Sequence, residues 1–206
     1  MPTQPAPAAP AADAPAAANE PIGNVGTLTG TATVIRNKNS LPLQLQDDIF
    51  PDDTLRTSAD STLGVTFNDG TTFNLTANSR ITVDSFIYEE GGKKNGALFD
   101  VARGTVAFVA ASVAKTGDMR ISTPTATLGI RGTTGLIEVP EGASATSAAG
   151  ANNVAIKLYP DADGRVGRIQ ISDRNGAELG TRRAAPAVLR SEPAAAVAAR
   201  ASPRCR

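Results

Sequence analysis

The chain has 206 residues, 41% of them hydrophobic, which is enough to bury the core of one domain with tails. Its 20 basic and 20 acidic side chains leave no net charge that would attract nucleic acid, so we expect no DNA or RNA partner. The sequence has no histidine, which excludes imidazole-based catalysis, and its one cysteine, Cys205, excludes a disulfide within the chain.

Alanine and proline dominate residues 1–22. Repeated proline interrupts any helix that alanine would favour and holds the chain extended, so the sequence predicts a disordered linker here. No secretion signal is visible, because the stretch lacks the basic and apolar regions that such a signal needs. If the protein is exported, we expect its true start, with a secretion signal, to lie further upstream.

From residue 23 the composition shifts to Thr, Val, Ile, Leu, Asn and Gly, with turn residues about every 8 to 12 positions. This rhythm predicts an all-β domain of short strands over residues 23–140. The clearest hairpin lies in residues 63–75, where apolar residues alternate on both sides of a turn at 68–70. Gly104 marks a position where a strand can bend, and the phenylalanines between Phe50 and Phe108 predict the densest part of the core.

The remainder of the chain divides into three segments. Small polar residues predict a flexible loop over 141–153, and short strands with turns predict a β meander over 154–182. The sequence leaves open whether this meander extends the main sheet or forms an appendage. Residues 183–206 form a basic, Ala/Arg-rich tail that we expect to be disordered and solvated, with weak attachment to an anionic surface as the alternative.

No stretch of the sequence favours a membrane span, a metal site or paired catalytic acids. The longest apolar run, residues 97–114, is interrupted by charges and is too short to cross a bilayer. Adjacent acids such as Asp52 and Asp53 point to opposite faces of a strand and are better suited to turns than to a shared active site. The segment 161–164, "DADG", has its glycine too early for a calcium loop and predicts a β-turn, so we expect no cofactor.

The segment 121–139, "ISTPTATLGIRGTTGLIEV", has glycine at every third position from Gly129 to Gly135. It matches neither the dinucleotide pattern nor the P-loop pattern, and no amphipathic helix follows it. The glycines therefore favour a structural corner, where backbones approach closely and Arg131 could donate hydrogen bonds to turn carbonyls.

Residues 123–133, "TPTATLGIRGT", resemble the signature of the FecR domain, the periplasmic module of ferric-citrate-type regulators and of other envelope proteins. Further stretches resemble that family in the same order, from "VGTLTGTATVIR" through "DDTLRTSADSTLGVTFNDGTTFNL" to "ARGTVAF", so that the likeness covers roughly Gly26 to Val139. Thr71, Ile130 and Gly135 depart from the residues that are frequent in the family. The helical sigma-factor-binding segment and the membrane span of the full regulators are not seen, which indicates a stand-alone FecR-like domain.

This resemblance implies an all-β single domain of short strands coiled as a solenoid or roll, without catalytic activity and without a cofactor. It also implies a set of motif residues with a structural role that could in addition contact a partner. These are Asp69, Gly70, Thr123, Pro124, Gly129, Arg131, Gly132 and Thr133. We hypothesise that Asp69 and Arg131 pair across neighbouring turns.

Two non-enzymatic functions follow from the resemblance. The first is a signalling or protein-interaction module in the periplasm or at the cell surface, with a protein partner whose identity the sequence does not give. The second is a structural or scaffold domain of an exported protein that contacts the cell wall or a surface polymer. A carboxylate-dependent glycan hydrolase would become an option only if two inward-facing acids proved close in space.

Overall fold

A computed structural model describes residues 20–92, 94–116, 118–132, 134–143, 154–160, 167–173 and 177–183. Most of the linker expected over 1–22, most of the loop expected over 141–153, the "DADG" segment and almost all of the basic tail lie outside these residues. Within the described part, the elements in chain order are β1 (Gly23–Thr29), β2 (Ala32–Arg36), β3 (Asn39–Pro42), β4 (Asp48–Ile49), β5 (Thr54–Thr57), β6 (Thr62–Phe67), β7 (Thr72–Leu75), β8 (Arg80–Ile87), β9 (Gly96–Val109), α1 (Ser112–Thr116), β10 (Asp118–Ser122), β11 (Thr127–Arg131), β12 (Thr134–Val139), β13 (Ala155–Tyr159), β14 (Arg168–Ser172) and β15 (Glu178–Arg183).

The strands form two connected sheets. Sheet A has the order β4-β1-β6-β7-β9-β12-β13, and sheet B has the order β3-β2-β5-β8-β9-β10-β11-β14-β15. Neighbouring strands run antiparallel except β9 and β10, which are parallel. The prediction of an all-β fold is confirmed, and the solenoid or roll arrangement stays a prediction.

The long strand β9 belongs to both sheets. Its first part pairs with β8 and β10 in sheet B, and its last part, from Gly104 onward, pairs with β12 and β7 in sheet A. Gly104 has a φ of +93°, and a Cβ atom there would lie 2.5 Å from the Cα of Ser79. The strand therefore bends where only glycine fits, as the sequence predicts.

A cluster of phenylalanines joins the two sheets into one core. Phe67 of sheet A stacks on Phe86 of sheet B with ring centroids 5.2 Å apart, and Phe73 of sheet A lies 4.6 Å from Phe99 of sheet B. Contacts of this kind show that the sheets pack face to face, and aromatic pairs add to the stabilisation from buried area. Phe50 stands apart from this cluster, beneath the guanidinium of Arg36 at 4.2 Å.

The β6–β7 hairpin is confirmed with the predicted turn. Leu63 pairs with Leu75 and Val65 with Phe73, so the apolar side chains of both strands face the core together. The turn closes through hydrogen bonds from Phe67 N–H to Thr71 C=O at 2.8 Å and from Gly70 N–H to Phe67 C=O at 2.9 Å. Glycine near the end of such a turn is typical of hairpins with short loops.

The C-terminal strands extend both sheets. β13 pairs with β12 in sheet A, whereas β14 pairs with β11 in sheet B and with β15. Of the two options that the sequence left open, the structure has these strands added to the main sheets. Among the described strands of the predicted meander, β13 to β15, consecutive pairing holds only for β14 and β15, because β13 joins β12 in sheet A whereas β14 joins β11 in sheet B.

One buried ion pair links β2 to the start of β5. Asp53 is fully buried, and its two carboxylate oxygens accept hydrogen bonds from Nε and Nη2 of Arg36, both at 2.7 Å. The hydrogen bond with Asp53 raises the pKa of Arg36 above its ordinary value, and burial opposes it. Asp53 is thus more than the turn residue that the sequence suggests.

Candidate functional site

Asp69, in the family-like stretch "DDTLRTSADSTLGVTFNDGTTFNL", organises the β6–β7 turn and the start of α1. Its Oδ1 accepts a hydrogen bond from the Thr71 N–H at 2.8 Å, and its Oδ2 accepts from the Thr71 hydroxyl at 2.7 Å. The same Oδ2 accepts from the backbone N–H of Val113 at 3.0 Å. With the residue only 5% exposed, this carboxylate is a buried fold-fixing group.

The motif at residues 123–133 reaches α1 as well. A Cβ atom placed on Gly132 would lie 3.6 Å from the Cγ of Lys115, a residue of α1. The two motifs therefore meet through the helix and not through the predicted ion pair. Asp69 directs its oxygens to Thr71 and Val113, whereas the side chain of Arg131 is exposed. The suggested pairing of Asp69 with Arg131 is wrong.

The residues Thr123 and Pro124 form the turn between β10 and β11. Thr123 is fully buried, its N–H donates to the Ala126 C=O at 2.8 Å, and its Oγ1 accepts from the Ala126 N–H at 3.1 Å. Proline suits this turn because its fixed φ limits the unfolded chain. The motif threonine is therefore a structural residue in this fold. Thr133, the last residue of the motif, lies outside the described residues.

The three regularly spaced glycines of the segment 121–139, Gly129, Gly132 and Gly135, occupy different environments. A Cβ on Gly135 would lie 2.7 Å from Cζ of Phe108, so the aromatic core requires glycine there. Gly132 has a φ of +52°, in the left-handed region. Gly129 is different, because a Cβ there would meet Gln170 at an ordinary contact distance of 3.7 Å. Packing gives no reason for the missing side chain of Gly129.

Gly129 lies in a groove on the outer face of sheet B, which we call the β11 groove. Its volume is about 560 Å³, within the range of ligand sites. The groove is bounded by strands β10, β11 and β14, and Gly129 is in register with Arg120 on one side and Gln170 on the other. Its lining residues are Asp118, Arg120, Thr127, Gly129, Ile130, Arg131, Gln170, Ser172 and Asp173.

The β11 groove continues in both directions across sheet B. Towards β8 it shares Asp118, Arg120 and Thr127 with a second depression of about 520 Å³ that extends to Leu98 and Ile87. Towards β15 a smaller extension of about 170 Å³ is lined by Arg168 among others. The outer face of this half of sheet B is thus a continuous concave surface.

Charged groups are distributed unevenly along this surface. At the β8 end, partial burial raises the pKa of Asp84 above its ordinary value, and the nearby charges of Asp100 and Asp52 raise it further. At the other end, Arg131 of β11 and Arg168 of β14 lie directly opposite each other, and both are exposed. The acidic end and the arginine pair are separated by the ion pair between Arg120 and Asp118, at 2.7 Å.

Sequence reasoning identified Gly129 and Arg131 but missed Arg120, Arg168 and Gln170. The signal for these three was weak, since alternating polar residues in "DMRIS" and "GRIQIS" indicate only that one face of a strand is solvated. Their convergence depends on which strands become neighbours, and β11 and β14 are distant in the chain. The pairing of β11 with β14 could not be predicted from local sequence patterns.

Among the described residues, no group of three His, Cys, Asp or Glu side chains is arranged to hold a metal ion. No helix within the described ranges has the length and apolar character to cross a bilayer.

Comparison with known proteins connects this geometry to a family. The FecR protein family matches residues 53–154, a range that includes the Asp69 turn, the bend of β9 and the glycine motif. No curated protein matches the chain. A solved structure described as "a putative anti-sigma factor from Parabacteroides distasonis" shares 14% sequence identity with a TM-score of 0.45, and the match covers 65% of this chain and 51% of that one.

The chain thus spans about half the length of that solved protein, and a likeness at this level supports no conclusion about function. The family match stands independently of it. The match contains the motif residues from Asp69 to Gly132 whose contacts hold the β6–β7 turn, α1 and the β10–β11 hairpin together. Residues 53–154 of the chain therefore form a FecR-family region.

Proposed function

We propose that this protein is a non-enzymatic signalling module of the bacterial cell envelope, in the periplasm or at the surface, that acts by binding a protein partner. The binding surface is the concave outer face of sheet B, centred on the β11 groove. The observation that carries this proposal is the position of Gly129, a residue of the family motif that packing does not require and that leaves the groove open.

The character of the groove supports a macromolecular partner. Small-molecule sites are mostly apolar and enclosed by aromatic side chains. The β11 groove is instead lined mainly by charged and hydroxyl side chains, and no aromatic residue is among them. Polar groups spread along a concave sheet surface suit an extended chain that brings its own donors and acceptors.

The absence of enzymatic activity is part of the proposal. The sequence has no histidine, and the acids at the β11 groove take part in contacts with protein groups, such as the ion pair of Asp118 with Arg120. A scaffold that contacts a cell-wall or surface polymer is the second candidate, because Arg131 and Arg168 would also attract an acidic glycan.

The test is fractionation of the native host that carries a C-terminally tagged copy at its own locus, followed by recovery of partners from the fraction that contains the protein. We expect periplasmic or surface recovery together with one protein in stoichiometric amount. Sedimentation with purified wall material, without a protein partner, would favour the scaffold. Recovery from the cytosol would overturn the envelope assignment.

A further inference from the structure

Arg131 and Arg168 form the feature of the β11 groove that folding explains least. The two residues are direct cross-strand neighbours on β11 and β14, and both are exposed. Like charges placed directly opposite each other destabilise a sheet. An anionic ligand in the groove beside this pair would contact both groups and relieve their repulsion.

The three acids near these arginines are engaged elsewhere. Asp118 forms an ion pair with Arg120 at 2.7 Å. Oδ1 of Asp173 accepts a hydrogen bond from the Ala177 N–H at 2.8 Å. Oε1 of Glu178 accepts one from the Thr181 hydroxyl, on the same strand, at 3.2 Å. Within the part of the chain that the structure describes, neither Arg131 nor Arg168 forms an ion pair.

The groove is not a general basic patch, because its three arginines are matched by these three acids. Selectivity must therefore come from the geometry of the two unpaired guanidinium groups. A guanidinium offers a planar fork of donors that matches a carboxylate in a two-pronged contact. Beside the pair, Gln170 can both donate to and accept from a peptide backbone, and Ser172 and Thr127 provide hydroxyls.

We infer that the β11 groove binds an acidic segment of the partner protein, whose Asp or Glu carboxylates contact Arg131 and Arg168 while its backbone lies over Gly129. The inference rests on the proposed function and specifies the partner's chemistry. A side chain at position 129 would occupy the space of that backbone, which gives the missing side chain a reason.

The test uses a fluorescein-labelled peptide of alternating Glu and Gly, a matched Gln–Gly peptide and an oligogalacturonate, each titrated against the full chain by fluorescence anisotropy or calorimetry. The variants are the double variant Arg131→Ala/Arg168→Ala, and Gly129→Val, which suits a strand but fills the groove. Arg56→Ala is the matched control, because Arg56 is also exposed and lies opposite a second exposed arginine, Arg80, but does not line the groove.

We expect the Glu peptide to bind saturably, with affinity reduced at least about tenfold in the double variant and in Gly129→Val, and less than about twofold in Arg56→Ala. Melting temperatures check that each variant is folded. The inference is overturned if Glu and Gln peptides bind alike, if the control loses as much affinity as the double variant, if no peptide binds, or if the glycan binds the groove more tightly than the Glu peptide.

Failure of this inference is distinguishable from failure of the proposed function. If the envelope fraction yields a stoichiometric protein partner whose recovery is unaffected by the double variant, the module binds protein through another surface, and only the inference fails. If no protein partner is recovered with the unmodified chain, the proposed function fails.

Discussion

Asp69 accepts a hydrogen bond from the backbone N–H of Val113 at 3.0 Å, across 44 residues of sequence. This contact ties the β6–β7 turn to α1. Replacement by alanine leaves the buried N–H of Val113 and both donors of Thr71 without their acceptor, and each such loss costs about 1–3 kcal/mol. We expect Asp69→Ala to lower the free energy of unfolding by about 3 kcal/mol in urea denaturation.

Glu90→Ala, at an exposed position, is the control for charge removal. Arg131→Ala should change stability by less than about 0.5 kcal/mol, because its exposed side chain has no fold-fixing contact within the described residues. Equal losses of unfolding free energy in Asp69→Ala and Arg131→Ala would contradict this assignment and support an ion pair between Asp69 and Arg131.

Arg36 and Asp53 form a second contact between distant residues, and we expect substitutions at either residue to lower stability. Because Asp53 is fully buried, its removal leaves the guanidinium of Arg36 without its carboxylate partner, and breaking a buried pair costs about 3–5 kcal/mol. Arg36 is partly exposed, so we expect about 3 kcal/mol for Asp53→Ala. Arg36→Lys, which keeps the charge but not the two-pronged contact, should lose less but measurably. A Lys variant as stable as the original chain would show that charge alone is sufficient.

Gly129 and Gly135 should respond to replacement by alanine in opposite directions. Gly129→Ala should raise the free energy of unfolding by about 0.5–1 kcal/mol, because glycine weakens a strand and the added Cβ meets only ordinary contacts. Gly135→Ala should lower it by about 1–3 kcal/mol, because the Cβ would meet the ring of Phe108. Chemical denaturation of both variants checks this, and a loss of stability in Gly129→Ala would assign that glycine to packing.

Asp84 should make stability depend on pH. Since folding raises its pKa above the ordinary value of 3.8, the folded chain holds this proton more tightly than the unfolded chain. The ionised carboxylate of Asp84 therefore lowers the free energy of unfolding at neutral pH. This loss disappears as the pH falls through the window between the raised pKa of the folded chain and 3.8. We expect Asp84→Asn to be more stable than the original chain at neutral pH and no more stable at pH values below that window.

Asp60→Asn, at an exposed turn, is the comparison for Asp84→Asn. Thermal melts of the three proteins across acidic and neutral pH give the measurement. A stabilisation of Asp84→Asn that persists undiminished at low pH would point to a cause other than the carboxylate charge.

The features that the sequence predicted correctly are encoded locally. The hairpin at 63–75 combines alternating apolar residues with a glycine-containing turn, and the bend at Gly104 depends on one residue's backbone freedom. The phenylalanines predicted the core because large aromatic side chains must be buried, although Phe50 instead packs beneath Arg36.

The features that the sequence did not predict depend on strand order. Arg131 and Arg168 become neighbours only because β14 adds to β11, and β13 joins a different sheet. The partner of Asp69 is a backbone N–H, which every residue but proline carries, so no sequence pattern marks Val113. Arg131 was recognised from the family motif, but residue spacing did not show that its side chain is exposed at the groove and does not contact Asp69.

Site-specific photo-crosslinking in the native host tests whether a protein partner occupies the β11 groove. A photoreactive residue is placed at Gln170, inside the groove, or at Arg56, exposed on the same sheet but outside it. We expect a single defined adduct from position 170 that is lost in the Arg131→Ala/Arg168→Ala background, and none from position 56. Adducts of equal yield from both positions, or an adduct at 170 that survives loss of both arginines, would contradict it.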